Sequence, residues 1–201
     1  MIDSSSAACT VALIGPGGEV AASRDEHIGR GHAERLAPMI ADLLGGHVPT
    51  QILVGVGPGS FTGIRVGLAA AQGLAIGWDV QLLGFDSLAL VAASVDPPAE
   101  DEIAVAIHGG HGELFVRAFD RKLAPLGPVQ SLTPDVAAAE IEAGLVVGSA
   151  AEALVEARGH GRSINLFPSA ARLLRLPKAL RTLEPRPAYA RAPDAKPSVA
   201  A

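Results

Sequence analysis

The chain has 201 residues, 49% of them hydrophobic and 18% charged, with a mean hydropathy of +0.33. That composition excludes a disordered chain and a core that needs disulfide or metal staples. A single cysteine, Cys9, excludes an internal disulfide. No run of about 18 apolar residues is long enough to span a membrane, and the N-terminus has neither a basic nor an apolar leader region, so the expected location is the cytoplasm.

In chain order, residues 9–14 read as a strand, with Gly15-Pro16-Gly17-Gly18 as a turn and residues 19–24 as the returning strand. A helix is predicted over residues 32–44, where Leu36, Met39, Ile40 and Leu43 stand at i, i+3, i+4 and i+7. Gly45-Gly46 and Pro49 end it. Residues 52–56 form a short apolar run suited to a buried parallel strand. A glycine-rich loop at residues 57–63 follows, then a helix over 64–78 containing Gly67, Ala71, Gly73 and Gly77. Each glycine weakens a helix by about 1 kcal/mol relative to alanine, so their accumulation predicts close approach of another backbone.

Residues 80–85 read as a further parallel strand and 87–93 as a short helix. The stretch 94–101, with Pro97-Pro98 and acidic residues, is the expected boundary between a first lobe (1–96) and a second (97–201). A second hairpin is predicted from 103–107 and 113–119 around His108-Gly109-Gly110-His111-Gly112. A strand at 145–147, helices at 150–158 and 169–176, and an extended segment from Pro185 complete the chain. This order predicts an α/β fold of two lobes, each a mixed sheet with flanking helices. A Rossmann fold would place its glycine loop after the first strand.

The loop at 57–63 joins a strand to a helix N-terminus and therefore resembles a phosphate loop. It lacks the Lys-Ser/Thr of a P-loop and the spacing of a nucleophile elbow. Asp3 reads as a structural turn residue in preference to a magnesium-orienting carboxylate. His108 and His111 read as a surface pair in preference to metal ligands, and His27 and His32 as loop and helix-start residues. Net charge is −5, but residues 1–156 carry 7 Lys/Arg against 19 Asp/Glu, while 157–201 carry 9 against 2. The basic end, with Arg172, Arg175, Lys178, Arg181, Arg186 and Arg191, reads either as a solvated tail or as a surface for tRNA or an acidic partner.

The full string Gly-Pro-Gly-Ser-Phe-Thr-Gly-Ile-Arg-Val-Gly, Gly57 to Gly67, resembles the signature of the TsaB (YeaZ-like) family. These are the dimerisation subunits of the machinery that makes N6-threonylcarbamoyladenosine in tRNA. Asp3-Ser4-Ser5, His32-Ala33-Glu34-Arg35-Leu36-Ala37-Pro38 and Pro187-Ala188-Tyr189-Ala190-Arg191 resemble three further family segments.

The resemblance implies an actin-like (sugar kinase/Hsp70) fold and no catalysis by the chain itself. It implies binding and activation of the catalytic paralogue TsaD through the helices at 32–44 and 64–78, with His32, Arg35, Leu36, Met39, Leu43, Arg65, Leu68, Ala71 and Gln72 at the contact. Asp3, Gly57, Gly59, Ser60, Thr62 and Gly63 become a vestigial phosphate loop. The further partners implied are a TsaE-type ATPase, tRNA through the complex, and a second copy of the chain when alone. No cofactor is expected beyond ATP or ADP at the partner interface, and no metal. The paralogue's H-x-x-x-H pair is replaced here by Asp86-Ser87-Leu88-Ala89-Leu90-Val91. The chain departs from the family in its short opening strand and in His108-Gly109-Gly110, where the family has Asp-Ala-Arg. The alternative reading is an independent actin-fold ATPase or kinase, or a peptidase.

Overall fold

A computed structural model describes residues 1–95 and 100–191; the expected boundary at 96/97 lies outside the described residues. The first sheet holds β1 (Ile2–Asp3), β2 (Ala8–Ile14), β3 (Val20–His27), β4 (Gln51–Gly55) and β5 (Gln81–Phe85), in the order β3-β2-β1-β4-β5. Although only two residues long, β1 is the central strand. It pairs antiparallel with β2 (Ile2↔Val11, Asp3↔Thr10) and parallel with β4 (Ile2↔Val54), which makes the sheet mixed.

Two helices of this lobe are α1 (His32–Leu44) and α2 (Phe61–Trp78). Leu36, Met39 and Ile40 of α1 and Ile64, Leu68, Ala71 and Ala75 of α2 pack with Ile2, Val11 and Val54 in one core. The start of α2 lies three residues before the predicted one. Ser60 accepts a hydrogen bond from Gly63 N–H at 3.2 Å and so caps the helix at Phe61.

Chain order continues with α3 (Ser87–Ala93), β6 (Glu102–Gly110), β7 (Glu113–Asp120), β8 (Gln130–Leu132), α4 (Pro134–Glu140), β9 (Leu145–Val147), α5 (Ala151–Arg158) and β10 (Arg162–Ile164). The second sheet runs β10-β9-β6-β7-β8 and is also mixed. Two 3₁₀ helices follow, Ala170–Arg175 and Lys178–Leu180. The short elements β8, α4 and β10 carry too few residues for a period to show in sequence.

Two connections tie the lobes together. Helix α3 follows the first sheet in sequence and is buried at all seven residues, six of which, Leu88 to Ala93, pack in one core with Ile103, Val105, Phe119, Leu145 and Leu173 of the second lobe. In return, the segment after the second 3₁₀ helix comes back to the first sheet. Leu183 pairs antiparallel with Gly84, and Ala188 N–H donates to the Val56 carbonyl at 2.7 Å. The segment predicted to be merely extended from Pro185 is therefore a strap across the edge of the first sheet.

Candidate functional site

The signature loop lies directly on the opening strand. Asp3 is fully buried. Its Oδ1 accepts from Ser5 N–H (2.8 Å) and Ser5 Oγ (2.7 Å), and its Oδ2 accepts from Ser87 Oγ (2.7 Å). Gly57 N–H donates to Ser87 Oγ, Ser4 Oγ donates to the Gly63 carbonyl, and Ser60 N–H donates to the Ser5 carbonyl. Burial pushes the Asp3 carboxyl up from its ordinary value, opposed by the hydrogen bonds from Ser87 and Ser5.

The glycines of the loop follow from this packing. A Cβ at Gly59 would lie 2.2 Å from the Ser5 carbonyl oxygen, and one at Gly63 would lie 2.0 Å from that of Ser4. At Gly67 the Ser4 hydroxyl stands 2.7 Å away. The close backbone approach predicted for this region is thus internal to the chain, and it occurs at the N-terminal end of α2. Nothing within 4 Å meets Gly73 or Gly77.

The residues expected at a partner contact divide by exposure. Leu36, Met39, Leu68 and Ala71 are buried in the first lobe's own core. These four side chains pack inside the lobe and leave little or no surface for a partner. Arg35, Arg65 and Gln72 are exposed, and His32 and Leu43 are partly so. Arg35 is paired with Glu26 on β3 through two contacts at 2.5 and 2.6 Å, and His32 Nε2 lies 2.7 Å from the Ser6 carbonyl.

Of the outer face of α2, sequence reading named Arg65 and Gln72 but missed Ala69 and Ile76. Arg65, Ala69, Gln72 and Ile76 repeat the spacing of the buried Ile64, Leu68, Ala71 and Ala75, displaced by one residue, or about 100° around the helix. Ile76 is 83% exposed. The available signal was a helix apolar on every side, which needs cover on more than one face. At the N-terminal end of this face Phe61 stacks on Tyr189 of the strap, with ring centroids 5.2 Å apart. The Arg65 guanidinium lies 3.6 Å from the Phe61 centroid, and its Nε donates to the Tyr189 hydroxyl at 3.0 Å.

Between the lobes lies a cavity of about 870 Å³. Ser5, Ser6, Gly59 and Ser60 form part of one wall and His108, Gly109, Gly110 and His111 part of the other. Asp3, Gly57, Thr62 and Gly63 do not reach it, so only Gly59 and Ser60 of the expected phosphate-loop set border the cavity. The Asp3 carboxylate is held by Ser5 and Ser87.

The basic residues of the C-terminal region do not form one free cationic surface. Arg175 Nη1 donates to the Ala93 and Val95 carbonyls, both at 2.6 Å, and Arg181 Nε donates to the Leu176 carbonyl at 3.2 Å. Arg172 and Lys178 are exposed. Among the described residues no helix is long and apolar enough to cross a membrane.

The family model described as "TsaD: tRNA N6-adenosine threonylcarbamoyltransferase" matches residues 19–159, more than half of the chain. The tRNA threonylcarbamoyladenosine biosynthesis protein TsaB of Escherichia coli K12 is 34% identical over 126 residues, covering 60% of this chain and 54% of that protein. Its namesake from Haemophilus influenzae is 34% identical over 120 residues, covering 57% and 50%. The chain thus spans about half the length of the curated relatives it matches. The solved structure of YeaZ from Pseudomonas aeruginosa superposes with a TM-score of 0.78 at 27% identity, covering 94% of this chain and 97% of that one. The fold is the two-lobed, actin-like α/β fold expected from the sequence. The chain belongs to the TsaD family, and within it is similar to the TsaB and YeaZ proteins.

Proposed function

We propose that this chain is a non-catalytic subunit of tRNA N6-threonylcarbamoyladenosine biosynthesis that docks on and activates a TsaD-type catalytic protein through α1 and the outer face of α2. The observation that carries the reading is that outer face. Ala69, Gly73 and Ile76 lie exposed along an 18-residue helix, and Gly73 and Gly77 leave its backbone open. Apolar surface of this kind marks an interaction site, and small residues let a facing helix approach closely before side chains collide. The biosynthetic role named for the TsaB relatives, and the match to the TsaD family, support a TsaD-type partner.

Mechanistically, the docked face acts by assembly. Holding α2 rigid through the Ser4–Gly63 and Ser5–Ser60 hydrogen bonds presents a preformed surface to the catalytic protein. Without that protein the same face pairs with a second copy, since a two-fold contact uses one patch twice. A TsaE-type ATPase and tRNA join through the assembled pair, with any ATP or ADP at the partner interface. Asp3, the carboxylate nearest the glycine loop, is committed to Ser5 and Ser87, which supports a supporting role in place of catalysis.

The test is co-purification with the TsaD of the same organism and transfer to tRNA with and without this chain. Ile76→Arg adds a charge at an exposed position, leaves the core intact and weakens association at least about tenfold. Gly67→Arg and Ala71→Arg do not serve, because both positions lie inside the lobe and a large side chain there unfolds it. An unchanged complex with Ile76→Arg would sink the interface assignment. Transfer that proceeds equally well without the chain would sink the functional one.

A further inference from the structure

We propose that Arg65 anchors the docking face by taking a carboxylate of the TsaD-type partner, an inference that rests on the docking role of α2 proposed above. Helix α2 runs over 18 residues, and Arg65 is the single Asp, Glu, Lys or Arg side chain in it. The residue is exposed and stands in line with Ala69, Gln72 and Ile76 on the outer face. Docking of that face takes water away from the guanidinium. A charge that loses its water without gaining a counter-charge opposes association strongly. A partner that covers this face therefore has to bring an acceptor.

The rest of the molecule holds this group in place without satisfying it. Phe61 lies one turn before Arg65 on the same side of the helix, and its ring centroid is 3.6 Å from Arg65 Cζ. Tyr189 stacks on Phe61 with 29° between the ring planes, and its hydroxyl accepts from Arg65 Nε at 3.0 Å. Tyr189 is itself fixed by the strap, through Ala188 N–H on the Val56 carbonyl and the pairing of Leu183 with Gly84. Nε is thus taken, while Nη1 and Nη2 make no hydrogen bond or ion pair among the described residues. They form the end-on edge of the guanidinium fork, which matches both oxygens of a carboxylate. A side chain already ordered in this way loses less freedom on binding.

A protein carboxylate fits the site better than a nucleic-acid phosphate. Surfaces that bind nucleic acid gather several cations along one face, whereas Arg65 stands alone among Ala69, Gly73 and Ile76. One arginine among small and apolar neighbours is the makeup of a protein interface core, where arginine and aromatic residues carry most of the binding energy. Phe61 and Tyr189, 48% and 38% exposed, extend that core past the N-terminal end of α2. In this arrangement Tyr189 is a positioning residue, which acts through Arg65 and ties the contact to the strap.

The experiment is calorimetric titration of the full chain with the TsaD of the same organism, from low salt to about 0.5 M. Arg65→Gln is expected to weaken association at least about thirtyfold and to flatten its salt dependence. Arg65→Lys keeps the charge, loses the fork and weakens association about tenfold. Tyr189→Phe keeps the ring, loses the hydroxyl and weakens association about threefold. Combined with Arg65→Gln it has no further effect, which a merely structural role of the hydroxyl would not produce. Unfolding midpoints stay at the parent value; should Arg65→Gln fail to fold, Arg65→Lys and the salt dependence of the parent decide. Parent association indifferent to salt, or Arg65→Lys binding as tightly as the parent, overturns the proposal. If Ile76→Arg weakens association and Arg65→Gln does not, the carboxylate pairing fails while the docking role stands. If neither weakens it, both fail. Arg65→Gln that spares TsaD association and lowers tRNA binding by the assembled complex assigns the guanidinium to a phosphate and also overturns the proposal.

Discussion

Arg117 on β7 places Nη1 2.5 Å from Oδ2 of Asp86, the residue whose Oδ1 caps α3 by accepting from Ala89 N–H at 2.9 Å. One carboxylate therefore starts the buried helix and anchors it to the second sheet. Arg117 is held in turn by the Gly127 carbonyl at 3.0 Å. This pair joins the end of the first lobe's sheet to the interior of the second.

Removing one partner of a largely buried pair leaves the other charge uncompensated. Arg117→Ala is expected to destabilise the chain by about 3 kcal/mol. Asp86→Ala costs about 1 kcal/mol more, because the cap is lost as well. Urea denaturation followed by circular dichroism measures both. A cost below about 1 kcal/mol for Arg117→Ala would mean that water screens the pair as it does at a surface.

The glycines of α2 and its loop predict effects of opposite sign. Gly59→Ala and Gly63→Ala drive a Cβ into the Ser5 and Ser4 backbone and are expected to cost about 3 kcal/mol or more, as overpacking against atoms that cannot yield. Gly73→Ala and Gly77→Ala meet nothing within 4 Å and are expected to stabilise the free chain by about 1 kcal/mol each. Thermal unfolding of the four variants separates the two groups. If Gly73→Ala also weakens TsaD association, open backbone at that position serves the contact.

Asp3 makes a signed prediction for pH. Its carboxyl is raised by burial, so in the window above the usual carboxylate value the folded chain keeps a proton that the unfolded chain has lost. The slope of unfolding free energy with pH from this group is then negative. Its favourable contribution is complete below the unfolded value and declines as pH rises through the folded one. Asp3→Asn removes that decline, so the variant should gain on the parent as pH rises from about 4. A variant that loses ground over the same range would show that the carboxylate is stabilised as an anion. Asp3→Ala strands the Ser5 and Ser87 donors and should cost about 2–3 kcal/mol below the unfolded carboxyl value, a cost that shrinks as pH rises.

Cys9 lies fully buried on β2, and burial pushes its thiol up to about 11, with the charges of Asp3 and Glu26 adding to the shift. Alkylation by iodoacetamide at about pH 8 is therefore expected only at the rate of global unfolding, since the reactive species is the thiolate. Rapid labelling of the native chain would show that the β2 edge of the core opens locally.

Hydrophobic periodicity and turn residues, both local properties of the chain, made much of this protein legible from its sequence. The 3.6-residue spacing of Leu36, Met39, Ile40 and Leu43 and the apolar run at 52–56 each produced the element expected, and the Gly57–Gly67 string pointed to the family. What depends on contacts between distant residues was not legible. Leu68 and Ala71 belong to the core while Ile76 is exposed, because an all-apolar helix carries no mark of which side its own sheet will cover. The glycines at 59 and 63 answer to Ser4 and Ser5, more than fifty residues away in sequence, and only the stacking of α2 on β1 brings those backbones together. Likewise His27, His32, His108 and His111 are scattered through both lobes. They share one cavity because two sheets, joined by α3 and by the returning strap, face each other across it.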